Sequence, residues 1–214
     1  NGMRLLIPIM YRNTLLGAVN ISRGVPFQGL EIKDIRSLFG KLAQFLSEYI
    51  LYHDVVVDSK TGIYTNFYFN LKYEELLAQV KRGEKFGVLA MALTARASDG
   101  GIALEEVTRG IAKKLFEIIG KSSIASLFDT KIQILIPKAD RDGAIEIAQK
   151  LLSFFTGTAV KTEGGKITLE PVIGLASTTM PGCAENPLEA ATANLEYALS
   201  TGESRLEYSR IRNI

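Results

Sequence analysis

Apolar residues recur along the chain with two distinct spacings, and the points where the spacing changes divide it into elements. Residues 5–11 and 15–21 are short β-prone apolar runs separated by Arg12-Asn13-Thr14, a pattern that predicts a β-hairpin. Such a hairpin is marginal alone and must dock on something. Gly24, Pro26 and Gly29 end the extended pattern. From Leu30 the period is helical: Ile35, Leu38, Leu42, Phe45, Tyr49, Tyr52 and Val56 follow in alternating steps of three and four, the a/d seam of a coiled coil. Lys33, Asp34, Arg36, Lys41 and Glu48 lie off that seam, whereas Phe39, Leu46 and Ile50 widen the apolar stripe. Two readings stay open for this helix. It packs on its own domain, or it pairs in parallel with a second copy through Ile35, Leu38, Leu42, Phe45 and Tyr49.

A turn at Asp58-Ser59-Lys60-Thr61-Gly62 opens a region of alternating elements. Periodicity predicts a helix over 66–80, a strand over 86–94 and a helix over 102–119. Strands over 122–128 and 131–137 are joined so closely that they form a hairpin, followed by a helix over 144–155. Residues 166–177 alternate with Ile167, Leu169, Ile173 and Leu175 on one face, and Gly164-Gly165 reads as a hairpin turn before them. Pro181, Gly182 and Pro187 break the pattern ahead of a helix over 188–199 and a short strand over 205–208. The class is α+β: a split βαββαβ, antiparallel-rich sheet with helices packed on it, preceded by the hairpin and the long helix. Pro171 falls inside a strand, which calls for an edge position or a bulge. The predicted organisation is a hairpin piece at 1–28, a connecting helix at 29–57 and a domain at 58–214.

Composition narrows the function classes. With 214 residues, 47% of them hydrophobic, a core forms without staples. A net charge of +2 makes no electrostatic case for nucleic acid or an anionic membrane surface. One cysteine excludes an internal disulfide, and one histidine beside it argues against a zinc site. No apolar run reaches the roughly 18–20 residues of a membrane span. The first residues do not read as a signal peptide, so the expected location is cytoplasmic.

Candidate chemistry is sparse. Gly120-Lys121-Ser122 imitates the tail of a phosphate-binding loop, but a helix precedes it and a strand follows, the reverse of what that loop needs; it reads as a helix C-cap. Asp99-Gly100-Gly101 reads as a helix N-cap. His53 has no triad partner at a suggestive spacing, and Cys183 is a loop thiol without a neighbouring base. No catalytic residue, metal ligand or cofactor is assigned.

Several anchors, in order, resemble the GGDEF (diguanylate cyclase) family over about residues 58–210. The segment DSKTGIYTNFYF is similar to that family's DxLTGLxNRxxF: Asp58, Thr61, Gly62, Ile63 and Phe69 match, while Thr65 and Asn66 replace Asn and Arg. Ile134-Leu135-Ile136-Pro137 resembles the strand after the signature hairpin, Ile173-Gly174-Leu175-Ala176 the SiGiA strand, and Gly202-Glu203-Ser204-Arg205 the closing GRNR. Upstream, LLIPIMYRNTLLGAVNIS and the long helix resemble the last strands and exit helix of a GAF sensor domain.

The resemblance implies a fold that joins two GTP molecules into cyclic di-GMP across facing domains, with two divalent metals held by carboxylates on the first strand and in the signature hairpin. At the signature positions this chain has Phe128, Asp129, Thr130, Lys131 and Ile132. Thr130 stands in place of the metal-binding acid, and Lys131 in place of the glutamate after it. A cation about 4 Å from a metal charge costs about 4 kcal/mol per unit charge at an effective dielectric near 20. Phe128 takes the first glycine position and tolerates positive φ poorly, so the loop should close differently. Residues 89–94 carry no acid, the base- and phosphate-reading stretch is shortened to 95–101, and the product-inhibition RxxD is missing at Ile119 to Ser122.

The expectation is a degenerate GGDEF-like regulatory domain that is not an enzyme and acts in dimerisation, docking or signal relay. Its partners would be a second copy, through the long helix, or another signalling protein, with no nucleic acid and no membrane. An alternative is a receptor that holds GTP or a cyclic dinucleotide without turnover, using Lys131 and Arg96 as phosphate donors. A third, a weak nucleotide hydrolase, would rest on Asp99 or Asp129.

Overall fold

The computed structural model describes residues 3–11, 14–95, 103–202 and 205–208. The chain divides into two compact units, Asn1–Val55 and Val56–Ile214.

In the first unit, β1 (Met3–Tyr11) and β2 (Thr14–Arg23) form an antiparallel hairpin with Ile7 opposite Val19 and a register shift between Ile9 and Met10. Helix α1 (Gly29–Val56) follows. Its start is fixed by Glu31, whose carboxylate accepts the Gln28 backbone N–H at 2.8 Å and two Arg23 guanidinium bonds at 2.6 and 3.2 Å. That is the return half of a capping box, reinforced by a fork-to-carboxylate ion pair. The guanidinium holds the Glu31 carboxyl down to about 2, with the Gln28 N–H adding to the effect. Ile7 and Ile9 of the hairpin and Ala43 and Ser47 of α1 are buried, and Phe39 and Leu46 are half-buried. The seam residues turn the other way: Leu38 is 63% exposed, Leu42 39%, Phe45 71% and Tyr49 64%, with Ile35 half-buried. One flank of α1 packs within its own unit, and Leu38, Leu42, Phe45 and Tyr49 of the predicted seam face solvent.

The second unit has an α+β fold: α2 (Asn66–Val80), β3 (Phe86–Ala95), α3 (Leu104–Ile119), β4 (Ile124–Phe128), β5 (Lys131–Pro137), α4 (Arg141–Phe155), β6 (Ala159–Thr162), β7 (Gly165–Ser177), α5 (Pro187–Thr201) and β8 (Leu206–Glu207). The sheet order is β4-β5-β3-β7-β6, antiparallel throughout, with β8 parallel beside β7 and an isolated parallel bridge from Tyr64 to Ser126 of β4. β3 lies at the centre, which explains why it reads as an unbroken apolar run: Val88, Leu89, Ala90 and Met91 are fully buried. Helices α4 and α5 pack on β7 and β3, α2 on β4, and α3 on β6.

Gly174 is required by this packing. A Cβ there would sit 2.1 Å from the Leu195 backbone N and 2.2 Å from the Ala191 carbonyl O, so α5 rests directly on the strand backbone. Asn194, buried on the same face, donates to the Leu175 carbonyl at 2.8 Å. Pro171 is opposite Leu93 of β3. On the other edge of β7, pairing with β6 ends at Thr168 and pairing with β8 begins at Ile173. Pro171 therefore occupies a stretch where no ladder bond needs its missing N–H, which meets the edge condition within a central strand.

Two expectations are corrected. β6, a strand of four residues, has no counterpart in the periodicity reading. Helix α3 has Ala103 as its N-cap, without a side-chain bond, and Asp99, read as its cap, lies outside the described residues. Helix α4 begins at Arg141 instead of 144, because Asp140 caps it through the Gly143 N–H at 3.0 Å. At the far end of α3, Gly120 (φ 87) is the C-cap and donates to the Phe116 carbonyl, as the turn reading expects.

Candidate functional site

The hairpin between β4 and β5 carries the signature positions. Phe128 and Lys131 pair directly across it, leaving Asp129 and Thr130 as a two-residue turn. Positive φ falls on Asp129 (52°), a residue that tolerates the left-handed region, and Phe128 stays extended and 43% exposed. The loop thus closes without glycine by moving the strained conformation onto Asp129. Ile132 is fully buried between Leu127 and Met91.

Lys131 faces Ala92 of β3 across the β3–β5 pairing, so the strand end beside the hairpin presents a methyl group and not an acid. The Lys131 ammonium reaches α5 and donates to Glu196 Oε1 at 2.9 Å. Its side chain is 23% exposed and that of Glu196 is 63% exposed, so the pair is worth about 0.2–1 kcal/mol. At the neighbouring end of β3, the Thr94 hydroxyl donates to the Glu170 backbone carbonyl. The Glu170 carboxylate accepts from Arg205 at 3.0 Å, and the same guanidinium donates to Thr156 Oγ1 at 3.3 Å. Each of the two glutamates is thereby matched with a cation. Asp129 has no hydrogen-bond or ion-pair partner among the described residues.

These donors do not fit a two-metal carboxylate site. Such a site needs acids converging from the strand and the hairpin, and here Ala92, Thr130 and an ammonium occupy those places. Among the described residues no group of three or more His, Cys, Asp or Glu could hold a metal ion. Arg96 and Asp99 lie outside the described residues, as does the side chain of His53. Cys183 is buried at 5% exposure, and that burial pushes its thiol pKa up, away from a reactive thiolate. Sequence reasoning did not find Glu196 or the Glu170–Arg205 pair. Lys131 and Glu196 are 65 residues apart, and no local spacing links them.

No family model and no curated protein matches the chain. Solved structures do. The GGDEF domain of FimX from Pseudomonas aeruginosa is 18% identical with a TM-score of 0.62, over 72% of this chain and 99% of that one. The coiled coil and GGDEF domain of DgcB from Caulobacter crescentus, in complex with c-di-GMP, is 14% identical with a TM-score of 0.64, over 85% of this chain and 100% of that one. The diguanylate cyclase SiaD from P. aeruginosa, in complex with its activator SiaC, is 12% identical with a TM-score of 0.62, over 84% and 72% respectively. The second unit has the GGDEF fold. The expectation that the chain is not an enzyme is corrected by these matches, because the shared fold is that of diguanylate cyclase domains and points toward enzymes. No described helix is long and apolar enough to cross a membrane.

Proposed function

We propose that the chain is a regulatory segment of a bacterial signalling protein, in which a GAF-like hairpin (1–28) and a connecting helix (29–57) feed a GGDEF-fold domain (58–214) that works by dimerisation, docking or signal relay in the cytoplasm. The observation that carries this reading is the exposed stripe of α1: Leu38, Phe45 and Tyr49 are each more than 60% exposed, and Leu42 is 39% exposed. Four large apolar side chains at coiled-coil spacing are costly in water and self-complementary in a parallel pair. The second copy then covers Ile35, Leu38, Leu42, Phe45 and Tyr49. The DgcB structure, which joins a coiled coil to the same fold, supports this arrangement, and the SiaD–SiaC complex supports a protein partner for the fold. In this reading Phe128, Asp129, Thr130, Lys131 and Ile132 are a signature hairpin recast as a structural turn, pinned to α5 by the Lys131–Glu196 pair.

Cysteine cross-linking tests it. In a parallel seam each a/d residue lies beside its own copy, so Leu38→Cys should form an intermolecular disulfide rapidly under mild oxidation. Ser37→Cys, one residue off the seam, should not. Equal cross-linking at both positions, or none at Leu38→Cys, would overturn the seam.

A further inference from the structure

A second feature of Val56–Ile214 shares no residue with the hairpin tip. Two cavities, of about 260 and about 310 Å³, share Tyr64 and Lys121 as lining residues. The smaller is apolar, walled by Val57, Ile63, Tyr64 and Phe116, with Tyr64 and Phe116 edge-to-face at 5.5 Å. The larger is polar, with Tyr68, Ser122 and Ser123 on its walls. Charge is distributed unevenly around them. Lys72 is committed to Glu75 at 2.6 Å. Lys121 is exposed and has no hydrogen bond or ion pair among the described residues.

We propose that the smaller cavity binds a small amphiphilic carboxylate, an aromatic or short aliphatic acid whose body fills the apolar chamber and whose carboxylate meets the Lys121 ammonium. The chemistry selects this class. An apolar chamber with one point charge at its mouth matches a single anionic head on an apolar body, whereas a phosphate would call for several converging donors. The place is also suited to regulation. Val57 directly follows the last residue of α1 and bridges to Tyr64, and Tyr64 bridges in turn to Ser126 on the edge strand β4. An occupant therefore touches the bridges that run from Val57 through Tyr64 to the edge of the sheet. The proposal does not depend on the dimer.

The test is thermal unfolding of the full chain with 3-phenylpropionate and, as an uncharged control, 3-phenylpropanol. At ten times its dissociation constant the acid should raise Tm by about 4 °C. The alcohol should raise it much less. Lys121→Met, a surface change that leaves the fold intact, should abolish the shift with the acid, as should Val57→Phe, which fills the apolar chamber. Lys166→Met, remote from the cavities in the β6–β7 hairpin, should leave it unchanged. No shift with either compound, equal shifts with both, or a shift that persists in Lys121→Met would each overturn the proposal.

Discussion

The two units satisfy their apolar residues in different ways. In Val56–Ile214, the apolar runs of β3, β5 and β7 meet helices of the same unit, and Leu89, Met91, Ile134, Leu135 and Leu175 are fully buried. In Asn1–Val55, the side chains at the most regular spacing in the sequence are the exposed ones: Leu38, Phe45 and Tyr49 face water while Ala43 and Ser47 are covered. Periodicity alone says that a face will be buried. Whether the same chain buries it depends on tertiary packing, and the contrast separates a self-sufficient core from a face its own unit leaves in water.

The strongest way to break this contrast is to attack the self-sufficient side. Gly174→Ala puts a methyl group where α5 backbone already lies, so it should cost more than about 3 kcal/mol or prevent folding of the second unit. Denaturant unfolding followed by the tyrosine signal measures it, and a variant within 1 kcal/mol of wild type would contradict the close approach.

Leu42→Glu is the matching change on the other side. Leu42 keeps 39% of its surface exposed in its own unit, so a seam buries only that remainder, about 0.6–1.2 kcal/mol in each copy, and self-association should weaken about tenfold or more. The loss should fall on self-association more than on the monomer, and a loss of monomer stability larger than the loss of association would place Leu42 in an internal core.

Acid sharpens the comparison at the start of α1. The Glu31 carboxyl is lowered from 4.5 to about 2 by Arg23, so its contribution is fully present above about pH 4.5 and is lost as pH falls toward 2. Helical circular dichroism should decline in that window, and Glu31→Gln should flatten that part of the profile. Asp140, lowered by Lys85 and the Gly143 N–H, shifts in the same direction in the second unit, and Asp140→Asn isolates its share. The smallest effect belongs to the hairpin tip. Glu196→Ala should cost less than about 1 kcal/mol, measured by the same denaturant titration, because the partner of Lys131 is largely exposed.

Much of the fold was legible before any geometry was known. Long amphipathic segments such as α3 and the alternating half of β7 announce themselves through period, and Gly174 was marked by the strand that resembles SiGiA. β6 was legible only through the hairpin turn read at Gly164-Gly165, because four residues with a two-residue repeat carry too little pattern to separate a strand from a loop. The start of α4 was missed because the signal was a cap, Asp140, and not a hydrophobic position. At the candidate site, the loss of acids could be read residue by residue from Thr130, Lys131 and 89–94. The compensation could not be read, since Glu196 and Arg205 reach the site only through tertiary packing, from positions 65 and 35 residues away from Lys131 and Glu170. The exclusion of enzymatic activity went further than residue types permit, because the fold itself is shared with cyclases.

The most direct test of the central claim, that α1 exposes its seam for a second copy, is sedimentation of the full chain beside Leu42→Glu at micromolar concentration. The account predicts a species of twice the chain mass for wild type and a folded monomer for the variant. A monomeric wild type, or a variant that remains a dimer, would contradict it.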